Sequence, residues 1–128
     1  MSAGEFKSEQ ARRLVEYVHE KYARQPEHLW ARSPDNAIWR RGDNEKWFGA
    51  ILTVKRNKII PGDDERFVEI LDVRCVPDIT EFIVDGNMIF PGWHMNKRHW
   101  ITVILDGRMS LRKIKALVDN SFDLAGKK

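Results

Sequence analysis

Apolar residues at Ala11, Leu14, Val15, Val18 and Tyr22 recur every three or four positions behind Ser8 and Glu9. That is the spacing of one helix face, with a hydroxyl cap and an acidic first turn, and it predicts an amphipathic helix over about 8–23. Pro26 and the Ser33-Pro34-Asp35-Asn36 cluster then read as loop, because proline cannot continue a helix and Asp and Asn bond their own backbone in turns. Trp30 between them is expected to anchor this loop to the core. From Ala37 to Arg74 the period drops to two, with Val, Ile, Phe and Trp between polar residues, the pattern of antiparallel strands. Strands are expected near 37–41, 47–54, 58–60 and 66–74. Hairpin turns fall at 41–44 and 55–58, with a more open connection at 61–64, which together imply a meandering sheet.

Pro77 suits the first turn of a short helix in which Ile79, Phe82 and Ile83 share a face and Gly86 caps the end. After Met88-Ile89-Phe90 and a Pro91-Gly92 turn, residues 94–99 lead into the β-prone run Trp100–Leu105, which Asp106-Gly107 ends. Ser110 caps a last helix with Leu111, Ile114, Leu117, Val118 and Phe122 along one stripe and Arg112, Lys113 and Lys115 outside it. Too few helices interleave the strands for a parallel sheet. The expected fold class is therefore α+β: a two-layer domain with an antiparallel meander sheet, N- and C-terminal helices packed on one face, and a short internal helix. One domain over 1–128, with its ordered core at about 8–125, fits the length.

Composition narrows the picture. A hydrophobic fraction of 42% with five Trp and six Phe, set against 32% charged residues, argues for a real core and against global disorder. The single Cys75 makes no internal disulfide, and no zinc-type Cys/His spacing accompanies it. A small apolar core residue is the expectation for it. The polar start MSAGEFKSEQARR has no apolar leader segment, and no run approaches the roughly 20 apolar residues of a membrane span, so a cytoplasmic protein without a membrane partner is expected. The net charge of +3 is small but uneven: residues 1–92 carry 14 Lys/Arg against 16 Asp/Glu, and residues 93–128 carry 8 against 3. A polyanion would be drawn to the latter part.

The string Trp93-His94-Met95-Asn96-Lys97-Arg98-His99-Trp100-Ile101-Thr102-Val103, followed by Leu105-Asp106-Gly107, resembles the HMNK-x-HW-I-T segment of the YjbR/MmcQ family of small bacterial proteins. Ala37–Arg40 with Asp43–Phe48 is similar to that family's first hairpin, and Ser121-Phe122-Asp123-Leu124 to its Ser-aromatic-x-Leu. Trp93 and Arg41 stand where Tyr and His are usual, and Arg74 where Lys is. The resemblance covers about residues 10–125. It implies a fold grouped with CyaY-like and secretion-chaperone-like architectures and a suggested DNA-binding role through a "double wing", with no defined substrate or cofactor.

Candidate chemistry is sparse. His94 and His99 match no common zinc pattern, Asp106 suits a tight turn, and no Ser or Cys sits in a nucleophile motif. The glycines form no phosphate-binding loop and read as turn residues with positive φ. Neither an enzyme, a cofactor nor a metal site is expected. The nucleic-acid reading places Asn96, Lys97, Arg98, Arg112 and Lys113 on phosphates or bases, with Arg40, Arg41 and Lys46 on one hairpin tip and Lys55, Arg56 and Lys58 on the other as paired wings. Two alternatives stay open. One is a protein or peptide module using a sheet edge or a groove of Trp39, Trp47 and Trp93. The other is a small-ligand pocket built from Trp93, His94, Asn96 and His99.

Overall fold

A computed structural model describes residues 6–127; Met1–Glu5 of the polar start and Lys128 lie outside the described residues. Helix α1 spans Glu9–Tyr22, with the Ser8 hydroxyl accepting from the Ala11 N–H as its cap. Strands β1 (Ala37–Arg40), β2 (Trp47–Lys55) and β3 (Phe67–Arg74) follow, then helix α2 (Pro77–Ile83), strands β4 (Phe90–Pro91) and β5 (Trp100–Ile104), and helix α3 (Leu111–Ala125). Ser110 caps α3 by accepting from the Lys113 N–H. All strand pairs are antiparallel, in the order β1-β2-β3-β5-β4. The fold is thus α+β with one open sheet. Only β1-β2-β3 meander: β5 lies against β3, and the two-residue β4 sits outside it as the edge.

The strand expected at 58–60 does not form. Residues 56–58 make a single 3-10 turn, and the connection runs on to Arg66. Ile59 and Ile60 belong to the cover over one face of the sheet rather than to its ladder. The Pro61-Gly62 that follows leaves no room for pairing, since proline lacks the N–H and Gly62 takes a φ of 148°.

Alternation along the strands sends two sets of side chains to opposite faces. On one face Trp39, Phe48, Ile51, Leu71, Val73, Ile101 and Val103 pack against Leu14 and Val18 of α1 and Ile114 and Val118 of α3. On the other, Ile38, Ala50, Leu52, Ile70 and Ile104 are covered by loops that bring in Trp93, Met95 and Ile59. Side chains clasp the helical layer. Asp119 of α3 accepts from the Tyr17 and Tyr22 hydroxyls of α1, both at 2.6 Å, and the Glu69 carboxylate accepts the backbone N–H groups of Lys7 and Ser8 at the start of α1.

One end of the sheet is wedged open. Trp39 pairs with Gly49 but Arg40 with Trp47, so Phe48 is the extra residue of a bulge. The β2–β3 ladder stops at Ala50 and Asp72. Beyond it the Ser121 hydroxyl of α3 accepts from the Arg74 N–H at 2.8 Å and donates to the Phe48 carbonyl at 2.5 Å. A helix side chain therefore supplies the link that the ladder lacks.

Helix α2 is turned differently from the expectation. Its buried residue is Thr80, whose hydroxyl lies 3.0 Å from the Val76 carbonyl and 3.2 Å from that of Arg98. Ile83 packs on the core while Ile79 and Phe82 face outward. Trp30, expected as an anchor, is 38% exposed and touches Trp47 edge-on, ring centres 6.1 Å apart. Cys75 is buried.

Candidate functional site

The loop over residues 92–99 starts from a close approach. A Cβ on Gly92 would lie 2.7 Å from the Trp100 Cβ, so this glycine serves packing rather than the positive φ expected of it. His94 instead takes the left-handed conformation, with φ 58°, which is uncommon for a side chain with a Cβ. Trp93 is half-buried against the loop-covered face of the sheet, and its ring meets His94 at 4.5 Å.

Beneath this loop a polar chain runs into the sheet. The Trp93 N–H donates to the Thr102 hydroxyl at 2.8 Å, and that hydroxyl donates to Asp72. Asp72 is fully buried, and its second carboxylate oxygen has no partner among the described residues. Burial pushes its pKa up to about 7, against the opposing effects of the Thr102 bond, the Trp93 N–H and the charge of Lys97. The Lys97 ammonium donates to the Gly92 carbonyl at 2.9 Å, closing the loop on itself.

The four residues expected to form a pocket do not converge. Trp93 turns towards the sheet, the Asn96 side chain is engaged by the Arg98 N–H in a turn, and the exposed His99 uses its carbonyl to hold Cys75. His94 alone lines a cleft. Its other walls are Trp30, Ser33, Asn36, Trp47, Leu52 and Met95, enclosing about 440 Å³. Asn36 accepts from the Thr53 N–H through Oδ1, which leaves its amide hydrogens for a ligand. Sequence reasoning missed Trp30, Ser33 and Asn36 because nothing in their spacing foretells that the loop folds back over β2. The groove of Trp39, Trp47 and Trp93 does not exist, since Trp39 is fully buried on the helical side.

The two basic hairpin tips lie at opposite ends of β2, whose eight residue steps span roughly 26 Å. Most of their charge is already paired. Arg40 bonds Glu27 at 2.9 Å, Arg41 bonds Asp43 at 2.7 Å and covers the Phe122 ring, Lys55 meets Glu65 at 3.4 Å, and Arg56 lies between Asp64 and Asp106. Hydrogen bonds from Arg41 hold Asp43 down to about 2. Lys46 reaches the Lys127 carbonyl. Among the described residues Lys58, Lys97, Arg98, Arg112 and Lys113 enter no ion pair, and Arg112 and Lys113 stand on α3, in the layer opposite the 92–99 loop. No group of three or more His, Cys, Asp or Glu among the described residues is placed to hold a metal ion, and no helix there is long and apolar enough to cross a membrane.

The profile of the family described as YjbR matches residues 19–124. The chain belongs to the YjbR family. This YjbR chain is 35% identical over 112 residues to the uncharacterized protein YyaQ of Bacillus subtilis strain 168, covering 87% of this chain and 93% of that relative. A structural-genomics crystal structure of a Pseudomonas syringae protein superimposes with a TM-score of 0.83 at 32% identity, covering 89% of this chain and 97% of that one. A Deinococcus radiodurans structure, at 22% identity and TM-score 0.69 over 92% of this chain and 79% of that one, shares the YjbR fold.

Proposed function

We propose that this chain is a DNA-binding protein that engages single strands on the loop-covered face of its sheet. The observation that carries the reading is the cleft walled by Trp30, Trp47 and His94, the last of these in a loop that continues within four residues to Lys97 and Arg98. Aromatic walls take bases of any sequence by stacking, and cations nearby take the phosphates. Lys97 and Arg98 follow His94 by three and four residues, within a reach of roughly 14 Å along the chain, which is the scale of neighbouring nucleotides. A base stacked inside a duplex cannot enter such a cleft without being unstacked, so single strands are favoured. The hairpin tips contribute less to this reading than the loop does, because Arg40, Arg41, Lys55 and Arg56 are neutralised by acids of the same chain.

Fluorescence anisotropy of labelled single-stranded and duplex DNA at about 50 and about 200 mM salt tests this. Trp30→Ala is expected to weaken single-strand binding by about tenfold, the loss of one stacked base, while leaving the salt slope unchanged. Lys97→Ala with Arg98→Ala should weaken binding to both forms and flatten the salt slope by about one for each phosphate that is no longer neutralised. Arg41→Ala should leave affinity as it was. Absence of binding at about 100 μM protein, or a Trp30→Ala variant that binds single strands as well as the parent does, removes the proposal.

A further inference from the structure

We propose, resting on the single-strand reading above, that the Arg74 guanidinium is a phosphate-binding fork for the nucleotide whose base lies against Trp47. Arg74 ends β3, beyond the point where the β2–β3 ladder has stopped. Strand alternation puts it on the loop-covered face, with Ile70 and Asp72. Its side chain crosses the gap between the strands. Nε donates to the Trp47 carbonyl at 2.5 Å, and the guanidinium carbon lies 4.9 Å from the centre of the Trp100 ring. Trp47 is a wall of the cleft of about 440 Å³, so a hydrogen bond ties this cation to a residue of the site, whereas Lys97 and Arg98 are linked to it only along the chain.

The surroundings of Arg74 leave its charge unanswered. It enters no ion pair among the described residues, and burial alone acts on its charge, holding the guanidinium below its usual range. Nη1 and Nη2 find no partner among the described residues and stay open to the surface. Arg41 and Arg66 differ on this point, because Asp43 and Asp64 close their forks through paired bonds. A partly buried charge that no acid balances costs stability. A planar fork with both ends open matches two oxygens of a phosphate. Trp100 and the Trp47 carbonyl hold the fork in place before a ligand arrives, which lowers the cost of ordering it on binding. The aromatic cleft that Trp47 walls makes the phosphate a nucleotide's.

Two titrations test this. Inorganic phosphate from about 1 to about 20 mM, the range of a single weak site, should shift the Arg74 side-chain N–H signals in NMR spectra of the parent chain, where sodium chloride of matched ionic strength does not. With single-stranded DNA, Arg74→Gln should lower affinity and reduce the salt slope by about 0.7, the share of one phosphate on a single strand. Arg74→Lys should keep the slope but bind several-fold more weakly, since it retains the charge and loses the fork. A residue that only braces β2 against β3 would move the melting temperature and leave the slope alone. Single-strand binding by Arg74→Gln with the parent's slope overturns the fork and leaves the single-strand reading standing. A phosphate-specific shift in a chain that binds no DNA overturns the single-strand reading and supports the fork as a phosphate site. Phosphate and chloride acting alike overturns the fork, and this arm uses the parent chain, so it decides even if Arg74→Gln does not fold.

Discussion

With Thr102 donating to one oxygen of Asp72 and no group among the described residues donating to the other, the carboxyl bears its charge against burial, offset in part by the Thr102 bond, the Trp93 N–H and Lys97. Its pKa of about 7 in the folded chain lies above the ordinary value near 4 of an unfolded one. Below about pH 4 both states hold the proton and the group costs nothing. Between there and pH 7 only the folded state holds it, so stability falls as pH rises, and above pH 7 the whole cost is present, on the order of 4 kcal/mol. Asp72→Asn keeps the acceptor for Thr102 and removes the ionisation. It is expected to be more stable than the parent at pH 8 by about 2 kcal/mol, part of the gain being offset by its own unpaired amide, with that advantage gone at pH 5. Urea denaturation of both proteins at the two pH values checks this. The period-two pattern of Ile70-Leu71-Asp72-Val73 put Asp72 and Ile70 on one face, but a lone acid in such a pattern reads as facing water. Its burial comes from a loop twenty residues further on, which no local pattern reveals.

Helices α1 and α3 were legible because each carries a helical period behind its own serine cap, and the three long strands because of their β-prone runs, the bounds of α1 and of these strands falling within about two residues of the expectation. The two-residue β4 was not foreseen, because Pro91-Gly92 reads as a turn, and two further elements were misread. Ile59 and Ile60 are as β-prone as any strand, yet they pack as a cover from an irregular connection, and composition does not separate those uses. The rotation of α2 depends on a single bond from Thr80 to a carbonyl eighteen residues away, against which the apolar spacing of Ile79 and Phe82 pointed the wrong way. The clasp between helices offers a test of how far element packing rests on one polar centre. Burial alone would raise the Asp119 pKa, but the bonds from Tyr17, Tyr22 and Lys21 outweigh it and hold the carboxylate below its usual range. Asp119→Ala strands two phenol groups between α1 and α3 and is expected to cost about 1–3 kcal/mol. Asp43→Ala, which removes an acid at an exposed turn, should change stability by less than about 1 kcal/mol. Thermal melts of the two variants side by side distinguish these outcomes.

At the scale of the molecule, the sheet divides its surroundings into a helical layer and a loop-covered layer, and the candidate surfaces sort accordingly. The sequence marked the 92–99 loop as distinctive and counted its cations correctly, but pairing with acids such as Glu27, Asp64 and Asp106 is a property of the folded chain. So is the placement of Trp30 and His94 around one cleft. The serine wedge carries a consequence for the order in which the chain acquires its structure. At the Lys55 and Phe67 end, β2 and β3 are joined by an eleven-residue connection, 56–66, a short loop to close. Their other end awaits the Ser121 hydroxyl, which is synthesised some fifty residues after Asp72. A chain cut off before α3 would therefore lack this partner for the Arg74 N–H and the Phe48 carbonyl.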